Sequence, residues 1–428
     1  MSAPLRLGIA GLGTVGIGVV KIIQKHADLL AARSGRPVAI TAISARDRMK
    51  NRDADLSGYQ WLDSPMEVAT HQDVDVYVEL IGGDEGIARQ SVVAALRAGK
   101  DVVTANKALL AIHGQRLAEL AEAEGRTIRY EAAVAGGIPI IKTMTESMAG
   151  NQISRVMGVM NGTCNYILTR MESGGLPYET VFEEARQLGY LEADPTLDVG
   201  GIDASHKLAI LSSLAFGTQV DFGAVEIEGI ERVSIDDIRR AADMGYRIKL
   251  LGVAQMTGRG LEQRMSPCLV PADSPIGQLQ GGTNMVVVEG DSVGQVVLRG
   301  AGAGEGPTAS AVMSDVVELA RGVQVPVFGQ PAARLKQAQP ARTAVPAAYY
   351  LRLALLDKPG ALAKVATVLG DAGISIHRMR QYEHDEGPAP VLIVTHKTTP
   401  DAIDHAIAAL PKTGVIAEDP VELRIEEV

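Results

Sequence analysis

Near its N-terminus the chain passes from a short apolar run, Leu5 to Ala10, straight into Gly11-Leu12-Gly13-Thr14-Val15-Gly16. A helical pattern then runs through Ile23. A buried strand that opens onto a helix through a glycine turn is half of a parallel β-α-β unit, and alternating strands and helices continue from it. The first glycine permits the tight turn, and the second lets the backbone approach a pyrophosphate. The third allows close packing of helix on strand. The helix start offers free N–H groups and the positive end of its dipole. The plain alternative is a glycine turn without a ligand, and the strand–turn–helix context argues against it.

A second strand is expected over Val38 to Ser44, ending in Ala45-Arg46-Asp47-Arg48. An acid at this strand end binds a ribose 2′-hydroxyl, whereas arginine accommodates a 2′-phosphate. Arg46 precedes Asp47, with Arg48 and Lys50 after it, so NADP(H) is the expected cofactor. NAD(H) is the open alternative, in which Asp47 holds the ribose and the basic residues are solvated. Two more buried strands are expected, Val74 to Ile81 closing with Gly82-Gly83, and Asp101 to Thr104 closing with Ala105-Asn106-Lys107. Ligands gather at the carboxyl ends of parallel strands. That rule puts Gly82, Thr104, Asn106 and Lys107 beside the cofactor.

A second signal lies at Gly189 to Lys207, GYLEADPTLDVGGIDASHK, with four carboxylates (Glu192, Asp194, Asp198, Asp203) and a terminal lysine. Ala204, Leu208, Leu211 and Ala215 recur at helical spacing, and Gly217 is placed to end the helix. Asp203 and Lys207 therefore lie one turn apart on one face. Their row continues as Ile210 and Leu214, which predicts partial burial. The pair could bind an amino acid or move a proton; a helix-start salt bridge is the structural alternative. His206 points about 100° away around the helix.

Composition narrows the classes. A net charge of −10 leaves no basic excess for nucleic acid. Two cysteines, Cys164 and Cys268, cannot build a disulfide framework or a zinc site. No apolar run approaches the roughly 18 residues of a membrane helix, and no signal peptide precedes the first strand. A cytoplasmic chain without membrane partners is expected.

The rest divides into further regions. Glu131-Ala-Ala-Val-Ala-Gly-Gly-Ile-Pro139 sets one acid among small residues whose carbonyls could turn toward a hard cation, though by itself the stretch reads more readily as a plain glycine turn. Asn161-Gly162-Thr163-Cys164 opens a helix in which Cys164 reads as core. Mixed strands follow from about Val225 to Leu298. Then Arg299 to Pro307, rich in glycine, leads into a helix near 305–325 that could complete the cofactor fold. The expected units are a Rossmann-type parallel sheet domain (1–135), an α+β substrate-binding and dimerisation domain (136–328), and a linker (329–348). A βαββαβ, ferredoxin-like module (349–428) closes the chain.

Taken together, GLGTVG, TANKALL (104–110), EAAVAGGIP, MNGTCNYIL (160–168), GYLEADPTLDVGGIDASHK and GAGAGEGPTASAV, in that order, resemble homoserine dehydrogenase. LLDKPGALAKVATVL (355–369) resembles the start of an ACT domain, as in the single-activity form of the enzyme. The resemblance implies reversible oxidation of L-homoserine to L-aspartate 4-semialdehyde in threonine, methionine and isoleucine biosynthesis. Lys207 matches the proton donor, and Lys107 a second lysine near nicotinamide and substrate. Glu192 and Asp203 match substrate binders, with Asp198 and Thr163 beside them. Asp194, followed by proline, reads as a turn residue. Gly11, Gly13, Thr14, Val15, Gly16, Arg46, Gly189 and Gly304 would contact the cofactor. Glu131, with the carbonyls of Val134, Gly136 and Ile138, would hold a monovalent cation, expected to be sodium. The ACT module implies threonine as effector, bound where paired copies meet near Asp357, Gly360, Ala361, Leu362, Ile374 and Gln381. It also implies a homodimer or homotetramer.

Overall fold

The structure, a computed structural model, describes residues 3–191, 194–341, 345–382 and 387–428. The first region contains strands β1 (Leu5–Ala10), β2 (Val38–Ser44), β3 (Gln60–Trp61), β4 (Val76–Glu79), β5 (Asp101–Thr104) and β6 (Ile128–Arg129). They form one sheet in the order β3-β2-β1-β4-β5-β6, parallel throughout. Helices cover both faces, which is why these strands read as continuous apolar runs. The order reverses between β1 and β4, and the glycine turn sits at that switch point.

The turn behaves as its residues require. Gly11 has φ +99°, and a Cβ there would lie 2.3 Å from the Leu80 carbonyl oxygen. Gly13 has no atom near its missing Cβ, so the backbone is open to a ligand. A Cβ on Gly16 would meet the Gly11 carbonyl at 2.1 Å, so the third glycine packs on the turn itself. The helix–helix contact belongs to Gly18, which lies against Glu305 and Ala309. It lets the Thr14–Lys25 helix meet the Glu305–Ala320 helix, which completes this domain from far along the chain.

The second region contributes β7 (Ile153–Val159), β8 (Glu226–Ile227), β9 (Tyr246–Thr257), β10 (Gly260–Pro271), β11 (Thr283–Gly290) and β12 (Gly294–Ala301). Helices Gly162–Gly174, Ile202–Phe216 and Ile235–Asp243 pack on one face. Met157, Leu251, Val253 and Val287 fill the other, beneath Ile276 and Leu279. The third region is the expected βαββαβ: β13 (Ala348–Leu355), helix Ala361–Asp371, β14 (Ile376–Gln381), β15 (Ala389–Thr395), helix Pro400–Ala409 and β16 (Ile416–Ile425).

Two features differ from the sequence-based expectation. β16 pairs in parallel with β10, so the second and third regions share one ten-stranded sheet. Its main path is β12-β11-β7-β9-β10-β16-β13-β15-β14. Buried Glu426 fastens the junction, accepting from Arg424 at 2.6 Å and Arg155 at 2.5 Å and also bonding Arg264. The 329–348 segment, expected to be a linker, is docked over its described residues. Ala332, Leu335 and Ala341 are buried, and Thr218 bridges Lys336. Its small apolar side chains bury without needing a helical or strand period. Among the expected effector residues, Ala361 and Ile374 lie inside the third region's core with Leu351 and Val365, so they support that surface without lining it. Asp357, Gly360 and Gln381 are exposed, and Leu362 is half-buried.

Candidate active site

Gly201, at φ +80°, opens the Ile202–Phe216 helix, and Gly217, at φ +62°, closes it. Asp203 and Lys207 occupy its first two turns, and Lys207 Nζ lies 2.7 Å from Asp203 Oδ2. Lys207 is buried at 8% exposure, rare for a lysine, and also donates to the Met160 carbonyl at 2.8 Å. The other Asp203 oxygen lies 2.9 Å from Nζ of Lys107. Lys107 begins the helix that follows β5, so one carboxylate bridges amines from two regions of the chain.

Asn161 braces this arrangement. Its Oδ1 accepts the Cys164 N–H and caps the Gly162–Gly174 helix. Its Nδ2 donates to Asp198 at 2.9 Å and to Asp203 at 3.2 Å. Asn161 was not among the residues singled out from sequence; its signal was a helix-capping asparagine before Gly-Thr. Burial pushes the Asp203 carboxyl upward, but Lys207 and Lys107 outweigh it and hold the group well below the usual carboxylate range. Asp198 is buried and reaches Asp203 through Asn161. Asp194 is exposed and accepts the Thr196 N–H at 3.1 Å, as a turn residue does. Cys164 is buried, and burial raises its thiol. His206 turns onto Phe222, and burial lowers its pKa. Glu192 lies outside the described residues.

A cavity of about 510 Å³ opens over this triad. Val15, Ala105 and Lys107 line it from the first region; Thr163, Gly189, Tyr190, Asp198, Asp203 and Lys207 line it from the second. Gly282, Asn284 and residues 301–304 close it, including Gly304, and Gly136 joins the wall. Tyr190, Gly282 and Asn284 were not anticipated. Thr163 Oγ1 donates to the Tyr190 carbonyl at 2.9 Å, tying the acidic loop to the helix. Thr104 and Asn106 are buried behind this wall, and Gly82 is exposed just beyond β4. Thr104 Oγ1 donates to Glu79 at 2.6 Å, and Glu79 accepts the N–H groups of Ile81 and Gly82. Asn106 caps the Lys107 helix through the Leu109 N–H. They hold the rim that presents Lys107.

Across the glycine turn, a second cavity of about 640 Å³ is lined by Gly11, Gly13, Ala45, Arg46, Asp47, Lys50 and Arg52. Thr14, next on the turn, is exposed. Asp47 Oδ1 accepts the N–H groups of Met49 and Lys50, at 2.9 and 3.1 Å. Arg52 donates to the carbonyls of Leu12, Lys50 and Asp47. Arg46 is exposed at the strand end.

Glu131 is buried where the first two regions join. Its oxygens accept the N–H groups of Ile141 and Lys142, at 2.8 and 3.0 Å. Burial and neighbouring Asp315 raise its pKa to about 7. Val134 and Ile138 are buried, and Ala135 and Gly136 have φ of +56° and +55°. Among the described residues no group of three or more His, Cys, Asp or Glu could hold a metal, so a cation here would depend on backbone carbonyls.

Comparison with known proteins gives the family. Residues 139–317 match the homoserine dehydrogenase family, residues 11–131 its NAD-binding domain and residues 349–412 the ACT domain. Homoserine dehydrogenase of Pseudomonas aeruginosa is 42% identical over 434 residues, covering 99% of each chain. That of Bacillus subtilis is 39% identical, covering 99% of this chain and 98% of its own. The crystal structure of the Thiobacillus denitrificans enzyme superposes with a TM-score of 0.94 at 39% identity, covering 99% of this chain and 98% of that one. A hyperthermophilic archaeal homoserine dehydrogenase in complex with NADPH gives a TM-score of 0.63 at 26% identity, over 76% of this chain and 99% of that one.

Proposed function

The chain belongs to the homoserine dehydrogenase family and is an oxidoreductase of that kind; from that premise we propose how its residues interconvert L-homoserine and L-aspartate 4-semialdehyde. The observation that carries the reading is the Asp203 carboxylate bridging Lys107 and Lys207 beneath a cavity shared by the glycine turn and the 301–304 loop. A nicotinamide cofactor held by the glycine turn and the 301–304 loop would supply hydride transfer to or from the hydroxyl-bearing carbon. Lys207 handles the proton, taking it from the hydroxyl in oxidation and returning it in reduction. Lys107 stabilises the negative charge that develops on the same oxygen. Asp203, held ionised, is free to exchange part of its lysine pairing for the substrate's ammonium group. Asp198 adds to that acidic wall, and Thr163 orders it; Glu192 is assigned to substrate binding by its match to the family's motif alone.

The cofactor reading is NADP(H). Asp47 spends one oxygen on backbone N–H groups, while Arg46 and Lys50 line the cavity at the strand end. A sodium ion beside Glu131 fits the chemistry there, since two raised, buried carboxyls gain from an added positive charge. The ACT domain supports amino-acid feedback, with threonine as effector and a biosynthetic role upstream of it. The exposed edge strand β14 supports pairing of copies into a homodimer or homotetramer. No helix among the described residues is long and apolar enough to cross a membrane.

Steady-state oxidation of homoserine with NADP⁺ and NAD⁺, with and without threonine, tests this. Reduction of NADP⁺ at the lower KM, and inhibition by threonine, are expected. No homoserine-dependent reduction of either cofactor would refute the function.

A further inference from the structure

Lys249 lies in β9 between Ile248 and Leu250 and is 2% exposed. Its Nζ donates to Asn165 Oδ1 at 2.9 Å and to the Leu279 carbonyl, both neutral oxygens. Asn165, equally buried on the Gly162–Gly174 helix, extends the chain of bonds. Its Nδ2 donates to the Gly281 carbonyl at 2.7 Å. The amine and the carboxamide thus hold two carbonyls of the segment that leads into β11. The next residues, Gly282 and Asn284, line the substrate cavity. The segment also runs tight against the helix start, since a Cβ on Gly162 would lie 2.5 Å from the Gly282 carbonyl oxygen. Gly281 has φ +65°, a conformation that suits glycine.

This is a costly way to fill space. Burial lowers the Lys249 pKa to about 8, and a desolvated cation with neutral partners costs more than an apolar side chain of equal length. What the lysine adds is directional: an amine long enough to cross from the sheet to a loop carbonyl while fixing the carboxamide that holds a second one.

We propose that Lys249 is a positioning residue for the substrate pocket, setting the wall formed by Gly282 and Asn284 through Asn165 and the Leu279–Gly281 turn. The assignment rests on reading that cavity as the homoserine site. In the full-length protein, Lys249→Met raises the KM for homoserine about tenfold, the worth of one well-placed bond. Its kcat stays within about threefold, and the dissociation constant for NADPH, read by fluorescence, is unchanged. Asn165→Asp keeps the acceptor for the amine but cannot donate to Gly281, so it raises the same KM by about threefold. The coupling is read with Asn165→Leu, which leaves no buried charge beside the methionine; because both side chains act through one turn, its combination with Lys249→Met raises that KM by less than the product of the single effects.

An unchanged homoserine KM in folded Lys249→Met overturns the proposal. So does a rise matched by weaker NADPH binding, or effects of Lys249→Met and Asn165→Leu that multiply. Should Lys249→Met not fold, Asn165→Asp decides alone, and an unchanged KM there overturns it. Wild-type turnover of homoserine tests the functional reading separately.

Discussion

The parallel-sheet domain and the ACT domain sit at opposite ends of the chain, and each is joined to the central region in its own way. The first meets it across a cavity, with Lys107 reaching Asp203 at the bottom. The second meets it through a continuous sheet, β16 on β10, and a buried carboxylate among three arginines, with cavities of about 370 and 310 Å³ flanking that junction. An ion pair beside an open cavity exchanges partners cheaply when ligand enters. A shared sheet with a buried charge cluster does not, because every bond lost there leaves a desolvated group behind. The cofactor side is therefore built for contacts that are remade in each turnover. The ACT side is built to hold its geometry.

Breaking the remade contact has the largest effect. Lys107→Ala should lower kcat by about 10²-fold by removing positive charge at the reacting oxygen, with little change in thermal stability. A large fall in melting temperature with kcat retained would make Lys107 a structural clamp. Breaking the held contact reverses the pattern. Glu426→Gln should destabilise the protein by about 2 kcal/mol, since three arginines lose a charged partner, while basal kcat stays unchanged. Denaturant unfolding beside a kinetic assay separates the two outcomes.

A third effect, visible only as a pH dependence, concerns Glu131, where the first two regions join. Its carboxyl, at about 7 when folded against an ordinary 4.5, holds a proton that the unfolded chain has already lost. Stability in sodium-free buffer should therefore fall as pH rises from about 4.5 to 7, by up to about 1.4 kcal/mol per pH unit, and level off above. Glu131→Gln should flatten that slope, and added sodium should restore stability at neutral pH in the wild type alone. A slope identical in both proteins would remove Glu131 from the account.

Signals confined to neighbouring residues were legible in sequence. The strand–glycine–helix start, the one-turn spacing of Asp203 and Lys207, and the βαββαβ order all follow from local periodicity and turn chemistry. What escaped depends on distant pairing. Nothing near Cys268 or Arg424 announces that their strands lie side by side, because two strands of the central region, a long helix and the rest of the ACT domain lie between β10 and β16 in the chain. The docked 329–348 segment escaped because small apolar residues bury without a period. Lys249 carried no signal in the sequence, and Asn161 only opened a helical pattern. Their roles exist only once helix, loop and sheet converge. Thr104 and Asn106 were placed at the correct rim, but the rim's wall is Lys107; they stand behind it.

The central claim is that the buried Lys207 moves the proton and is more than the structural half of its ion pair with Asp203. The most direct measurement is kcat for homoserine oxidation by Lys207→Ala, taken with the NADPH dissociation constant and melting temperature of the same sample. The account predicts a loss of about 10²-fold or more in kcat with cofactor binding and folding intact. Retained turnover, or loss of activity only because the protein no longer folds, would contradict it.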